Sequence, residues 1–218
     1  GPLRVTQAGL LTPDAVKRGM KLVFSAALAL WLYLAWTSSW LMLLLGVVAI
    51  LAALAYTGGP YPFGEHGLGD PVAFLFFGPV AVAGTYYVQA LHISASAWWM
   101  SIPVGLLITA ILVVNNLRDR VTDAAAGRKT LAVRFGAAWA RREYLACLAG
   151  AYTLLPFLIL SGLLPWTAML SWASLVLAWP TWRVVRDNEG TVLNEALAGT
   201  GRVGLAYSLC FAAGLMLA

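Results

Sequence analysis

Two aspartates four residues apart, Asp119 and Asp123, stand in the run Asn115-Asn116-Leu117-Arg118-Asp119-Arg120-Val121-Thr122-Asp123. Three alanines and Gly127-Arg128-Lys129-Thr130 follow. On a helix the i, i+4 spacing puts both carboxylates on one face, with β-carbons about 5–6 Å apart. Such a pair can hold Mg²⁺ and leave its remaining positions to waters and phosphate oxygens. Asn115 lies one turn earlier, on the face of Asp119. Gly127 can end the helix and turn the chain back, offering Arg128 and Lys129 to a diphosphate whose other oxygens sit on the metal. A plainer reading is a solvated loop of mixed charge laced by i, i+4 ion pairs, and spacing alone does not choose between them. The fragment from Gly127 to Thr130 has neither the spacing nor the preceding strand of a phosphate-binding P-loop.

The elements that must position these residues are membrane helices. Of 218 residues, 61% are hydrophobic and 11% charged, and mean hydropathy is +0.81. A soluble domain carries about 25% charged residues, and disorder needs low hydrophobicity. The class is therefore a polytopic, all-α transmembrane bundle. Leu22 to Gly64, Pro71 to Leu117 and Tyr144 to Trp182 contain no acid, Lys or Arg. Each run fits two crossings of about 20 residues, joined at Thr37-Ser38-Ser39, at His92 to Ser96 and at Gly162 to Pro165. Val203 to Ala218 adds a last, slightly short span, giving seven predicted helices.

All 14 Lys and Arg then fall on one side, which the positive-inside rule makes cytoplasmic. Trp36, Trp40, Trp98, Trp99 and Trp166 cluster at the other side, where an aromatic belt belongs. The net charge of +5 is explained by these loops, and no nucleic-acid partner is expected. Cys147 and Cys210 sit inside predicted spans and suggest neither a disulfide nor a metal site. Polar groups at the end of a span are costly in lipid, which favours a cavity-facing Asn115 and Asn116.

A second region of interest runs from Tyr56 to Asp70 on the same predicted side. It holds five glycines, two prolines and no Lys or Arg. Glycines permit tight turns and close backbone approach to a ligand, and Glu65, His66 and Asp70 offer acid–base groups. A compact linker with solvated side chains explains the same residues equally well. Phe74, Phe76, Phe77, Tyr86 and Tyr87 could stabilise a carbocation or simply pack. Pro79, Pro103 and Pro156 would kink spans, opening a cavity or merely fitting the bundle.

From Asn115 to Arg134, the pattern Asn-Asn-x-Arg-Asp-x-x-x-Asp-x-x-x-Gly-x-Lys-Thr-Leu-Ala-Val-Arg resembles the second Asp-rich motif of the UbiA superfamily of intramembrane prenyltransferases. Its branch of 1,4-dihydroxy-2-naphthoate polyprenyltransferases, which serve menaquinone synthesis, is similar at several further places. These are Gly1 to Gln7, Tyr56 to Pro60, Gly67 to Asp70, Phe77 to Ala81, Leu193-Asn194 and Ala198 to Thr200.

The resemblance implies a multi-pass enzyme of the bacterial inner membrane that takes a polyprenyl diphosphate and 1,4-dihydroxy-2-naphthoate. It implies Asp119 and Asp123 as catalytic ligands of Mg²⁺, with Lys129 beside them. Asn115, Asn116, Arg118, Arg128 and Arg134 are then expected among the substrate-binding residues, together with Tyr56, His66 and Asp70 of the glycine-rich loop, whose acid–base groups could serve the acceptor. The family has nine helices and two Asp-rich motifs, whereas seven spans and one motif are present here. Residues 1–218 therefore read as the C-terminal three-quarters of a single family domain, beginning just after the first motif. Homogentisate and 4-hydroxybenzoate are rival acceptors. A transporter would usually show paired repeats and midplane charges, which this chain lacks.

Overall fold

The computed structural model describes residues 5–218; Gly1 to Arg4, the start of the first segment of resemblance, lie outside the described residues. Seven helices run through the described residues, and the fold is all-α. They are α1 (Pro13–Thr37), α2 (Trp40–Thr57), α3 (Gly69–Ala90), α4 (Ala95–Ala125), α5 (Leu131–Leu160), α6 (Leu175–Asp187, entered through a 3-10 stretch Trp166–Ser174) and α7 (Leu193–Met216). Helices α1, α3, α4 and α5 are each long and apolar enough to cross a membrane. The chain is a multi-pass membrane protein, and all three turns predicted from the charge-free runs fall between helices.

The chain divides into two compact units, residues 1–52 and 53–218. In the first, Thr12 caps α1 by accepting from the Ala15 N–H at 3.2 Å, with Pro13 at the first helical position. The turn into α2 is satisfied locally, because Thr37 and Ser38 hydroxyls donate to carbonyls of the preceding turn. The Trp31 indole donates to the Met42 carbonyl at 2.7 Å. Gly46 leaves room for that ring, since a β-carbon there would overlap it.

In the second unit α4 is central, packed on α3, α5 and α7. Its buried residues Leu107, Ala110, Val113, Val114 and Leu117 recur at helical spacing. Ala140, Tyr144, Leu148, Ala151 and Leu155 answer from α5, and Val203 and Tyr207 from α7. Helices α3 and α4 cross through glycine. A β-carbon at Gly78 would stand 2.8 Å from the Gly105 Cα, so only a pair of glycines permits this approach.

Three details depart from uniform spans. Pro79 removes an N–H donor, and α3 is π-wound from Phe76 to Ala83 around it. Helix α5 breaks at Gly136 (φ 82°, ψ 175°), ahead of Pro156. Helix α7 begins at Leu193 rather than Val203, so the apolar stretch from Val203 continues a helix whose first turns carry Glu195 and Arg202.

Candidate active site at the charged end of the bundle

At 31 residues α4 is about 46 Å long, against a hydrocarbon layer of about 30 Å. Its last turns, bearing Arg118, Asp119 and Asp123, therefore stand clear of the spanning segment. Gly127 ends the helix as its position suggested. It takes φ +77° while the Arg128 N–H bonds the Asp123 carbonyl at 2.9 Å, the closing bond of a left-handed helix terminus. Thr130 caps α5 by accepting from the Val133 N–H at 3.4 Å.

Asp119 is gripped by its neighbour. Arg118 Nε lies 2.8 Å from Oδ1 and Nη2 lies 2.6 Å from Oδ2. The same guanidinium donates to Asn115 Oδ1 at 2.8 Å and to Asn194 Oδ1, on α7, at 2.9 Å. These hydrogen bonds from Arg118 hold the Asp119 carboxyl below the usual carboxylate range. Asn115 and Asp119 thus share a face as the spacing required, and Arg118 ties that face to the start of α7.

Asp123 is buried and pairs with Arg128 Nη1 at 3.2 Å. Arg128 Nε reaches Glu65 Oε1 at 3.3 Å. The Lys129 N–H donates to the Glu65 carbonyl at 2.6 Å, and Arg134 Nε donates to the Lys129 carbonyl at 2.9 Å. Gly67, at φ +83°, lets the two loops touch: a β-carbon there would lie 3.1 Å from the Lys129 carbonyl oxygen. The glycine-rich loop and the turn after α4 form one surface, from which the Lys129 and Arg134 side chains are exposed.

The remaining candidates separate into two groups. Asp70, 3% exposed, accepts from Asn116 Nδ2 at 3.2 and 3.4 Å, so this carboxylate and this amide face each other beneath the loop. Tyr56 packs edge-on to Phe63, and its hydroxyl lies against Gly69. His66 stays within the loop, stacked on Tyr61 at 3.8 Å, with Nδ1 2.8 Å from the Pro62 carbonyl. Two contacts of the site have no signal in local spacing: Glu65, a candidate acid–base group of the loop, and Asn194, in a segment of resemblance, each hold an arginine of the Asp-rich region.

No group of three His, Cys, Asp or Glu side chains converges among the described residues. Mg²⁺ does not need one, since it commonly takes one or two carboxylates and completes its shell with water and substrate phosphate. Asp119 and Asp123 are the carboxylates that could hold such an ion. Each now faces a guanidinium and would have to share its oxygens with a cation.

The chain matches the UbiA prenyltransferase family over residues 1–217. It belongs to that family. The enzyme is a prenyltransferase, and its relatives include proteins named 1,4-dihydroxy-2-naphthoate octaprenyltransferase. That of Mycobacterium tuberculosis is 36% identical over 215 residues, 99% of this chain and 73% of the relative. That of Escherichia coli is 34% identical over 224 residues, covering 100% and 73%. The 2-carboxy-1,4-naphthoquinone phytyltransferase of Synechocystis is 32% identical over 136 residues, 62% of this chain and 44% of the relative. The Asp-rich turn and the glycine-rich loop of this UbiA-family chain both fall within the matched residues.

Proposed function

We propose that this prenyltransferase joins a polyprenyl group from its diphosphate to 1,4-dihydroxy-2-naphthoate, with loss of the acceptor carboxylate as CO₂, in menaquinone synthesis. The observation that carries the reading is the meeting of Asp123, Arg128 and Lys129 with the glycine-rich loop, one helical turn beyond Asp119. The names of the relatives supply the substrates.

The allylic C–O bond breaks and the electron pair leaves with diphosphate. The electron-rich ring carbon bearing the carboxylate forms the new C–C bond, and its bond to the carboxylate then breaks, releasing CO₂ and leaving that electron pair behind to restore the aromatic ring. Mg²⁺ held by Asp119 and Asp123 would neutralise charge on the departing diphosphate. Lys129 and Arg128 bind its remaining oxygens, and Arg134 extends the cationic rim. Asn115 supports Asp119 through Arg118. Tyr56, His66 and Asp70 line the acceptor side, with Asn116 orienting Asp70. The bundle interior keeps the allylic cation from water. We place this site on the cytoplasmic face of a bacterial inner membrane, because the positive-inside rule assigns the Lys- and Arg-bearing loops there. The first Asp-rich motif of the family would supply the partner carboxylates from the N-terminal part of the domain.

A two-substrate kinetic matrix tests the assignment, with 1,4-dihydroxy-2-naphthoate, 4-hydroxybenzoate and homogentisate offered as acceptors over a range of Mg²⁺. Transfer confined to the naphthoate, with CO₂ released one for one, is the expected result. Equal use of 4-hydroxybenzoate would overturn it.

A further inference from the structure

The loop from Tyr56 to Asp70 has no cation, and Glu65 is its one carboxylate before Asp70. That carboxylate does not point to solvent alone. It takes Arg128 Nε at 3.3 Å while its backbone carbonyl takes the Lys129 N–H at 2.6 Å. Glu65 thus holds the Arg128 guanidinium by its side chain and the backbone of Lys129 by its main chain, fixing where the Lys129 side chain starts. Gly67 makes the approach possible, because φ +83° and the 3.1 Å gap to the Lys129 carbonyl leave no room for a β-carbon.

We propose that Glu65 is a positioning residue for the prenyl donor: it fixes Arg128 and Lys129, so the glycine-rich loop serves the diphosphate half of the site as well as the acceptor. The proposal rests on the reading above that these two cations meet diphosphate.

The argument turns on which partner keeps Arg128 when substrate arrives. In the structure Arg128 divides itself between Glu65 and Asp123. Asp123 is the buried partner, its side chain 11% exposed, and the one assigned to the cation. Once Asp123 gives its oxygens to a divalent ion, its hold on Arg128 weakens. Glu65 remains, binding Nε and leaving the terminal nitrogens for phosphate oxygens. An exposed ion pair contributes only ~0–1 kcal/mol to folding, and both partners here are more than 40% exposed. The value of the contact therefore lies in orientation. Against it stands the repulsion between Glu65 and diphosphate, which predicts the opposite sign for a neutral variant and makes the proposal decidable.

The experiment measures equilibrium binding of a non-ionisable farnesyl thiolodiphosphate, with Mg²⁺, to the protein in lipid nanodiscs, and binding of dihydroxynaphthoate in parallel. Glu65→Gln should weaken the donor analogue roughly five- to twentyfold while acceptor affinity stays within about twofold. Glu65→Asp, which keeps the charge, should recover most of the loss. Glu65→Gln added to Arg128→Gln should cost no more than Arg128→Gln alone, because one acts through the other. Gly67→Ala disturbs the loop contact without changing charge and should give the same donor-selective loss, so the decision survives if the Gln variant does not fold. Unchanged or tighter donor binding in Glu65→Gln, or a loss confined to the acceptor, overturns the proposal while weakened Arg128→Gln and Lys129→Gln leave the functional reading standing. If those two variants also bind the donor normally, the diphosphate assignment falls with it.

Discussion

At the charged end of the bundle formed by residues 53–218, helices meet through long side chains: Arg118 joins α4 to α7, Arg128 joins α4 to the glycine-rich loop, and Arg141 reaches from α5 to Glu189. At the opposite end they meet through backbone and small residues. Ser96 donates to the Leu163 carbonyl at 2.8 Å, Gly162 turns the chain at φ +74°, and Gly214 lies directly on the Thr167 carbonyl. Ionic contacts at a wet edge are individually weak and can be exchanged for an incoming anion or cation. Backbone contacts between close-packed helices cannot be exchanged without moving the helices. One end is therefore equipped to trade partners, and the other holds the helices in place while it does.

The largest effect is expected where a charged contact becomes a ligand contact. Asp123→Asn keeps size and leaves a hydrogen bond to Arg128 available, so the fold should survive. It removes a charge assigned to the cation, and turnover should fall by about two orders of magnitude or more. Prenyl transfer assayed across Mg²⁺ concentrations checks this; near-normal Mg²⁺-dependent turnover in a folded variant would break the assignment. Partial rescue by excess Mg²⁺ would sharpen it toward a weakened ligand.

Next comes the packing that sets the site's geometry. Gly105→Val in α4 would press on the Phe74 carbonyl at 2.9 Å and the Gly78 Cα at 3.0 Å, backbone atoms with nowhere to go. Overpacking of this kind costs about 1–3 kcal/mol. The variant should unfold at lower temperature in detergent and lose activity in proportion. An unchanged midpoint would show that the glycine crossing is not what brings α3 and α4 together.

The contrast between the two ends also explains what could be foreseen. Helix limits at Thr37, Trp40, Ala90 and Leu160 were legible because charge and turn residues punctuate a uniformly apolar text. The shared face of Asn115 and Asp119 was legible because i, i+4 geometry is local. The Asn116–Asp70 and Arg118–Asn194 contacts were not: they join residues 46 and 76 positions apart, and a rotation of one helix by a single residue would redirect them. Nor could apolar periodicity show which side of α4 is buried, since the lipid-facing side is equally apolar. The π-wound stretch at Pro79 and the break at Gly136 are local departures inside otherwise helical segments, which apolar patterning does not mark.

A smaller effect separates holding from binding. Arg118→Gln removes the guanidinium that keeps the Asp119 carboxyl below its usual range. The sign follows directly: a depressed carboxyl stays ionised to lower pH, so losing Arg118 raises it and moves the acid limb of the activity profile upward. The variant's pH profile for donor turnover checks this. An unmoved acid limb with weaker donor binding would instead make Arg118 a diphosphate ligand.

The smallest effect belongs to the opposite end, and it is the control for the whole comparison. Ser96→Ala deletes one hydroxyl that donates to the Leu163 carbonyl in a partly buried position. A neutral hydrogen bond of this kind contributes about 0.5–1.5 kcal/mol net. The turn it braces keeps its own bonds from the Leu163 and Leu164 N–H groups to the Leu158 carbonyl, so the loss stays local. Thermal unfolding should therefore drop slightly, while the Michaelis constants for donor and acceptor remain those of the parent. If the constants moved as far as they do for a charged-end variant, the two ends would be mechanically coupled along α4 and α5. The division between an exchanging end and a holding end would then fail. If neither stability nor kinetics moved, the backbone contacts at Gly162 and Gly214 would be sufficient to hold that end, and the same measurement on Gly214→Val would locate the restraint.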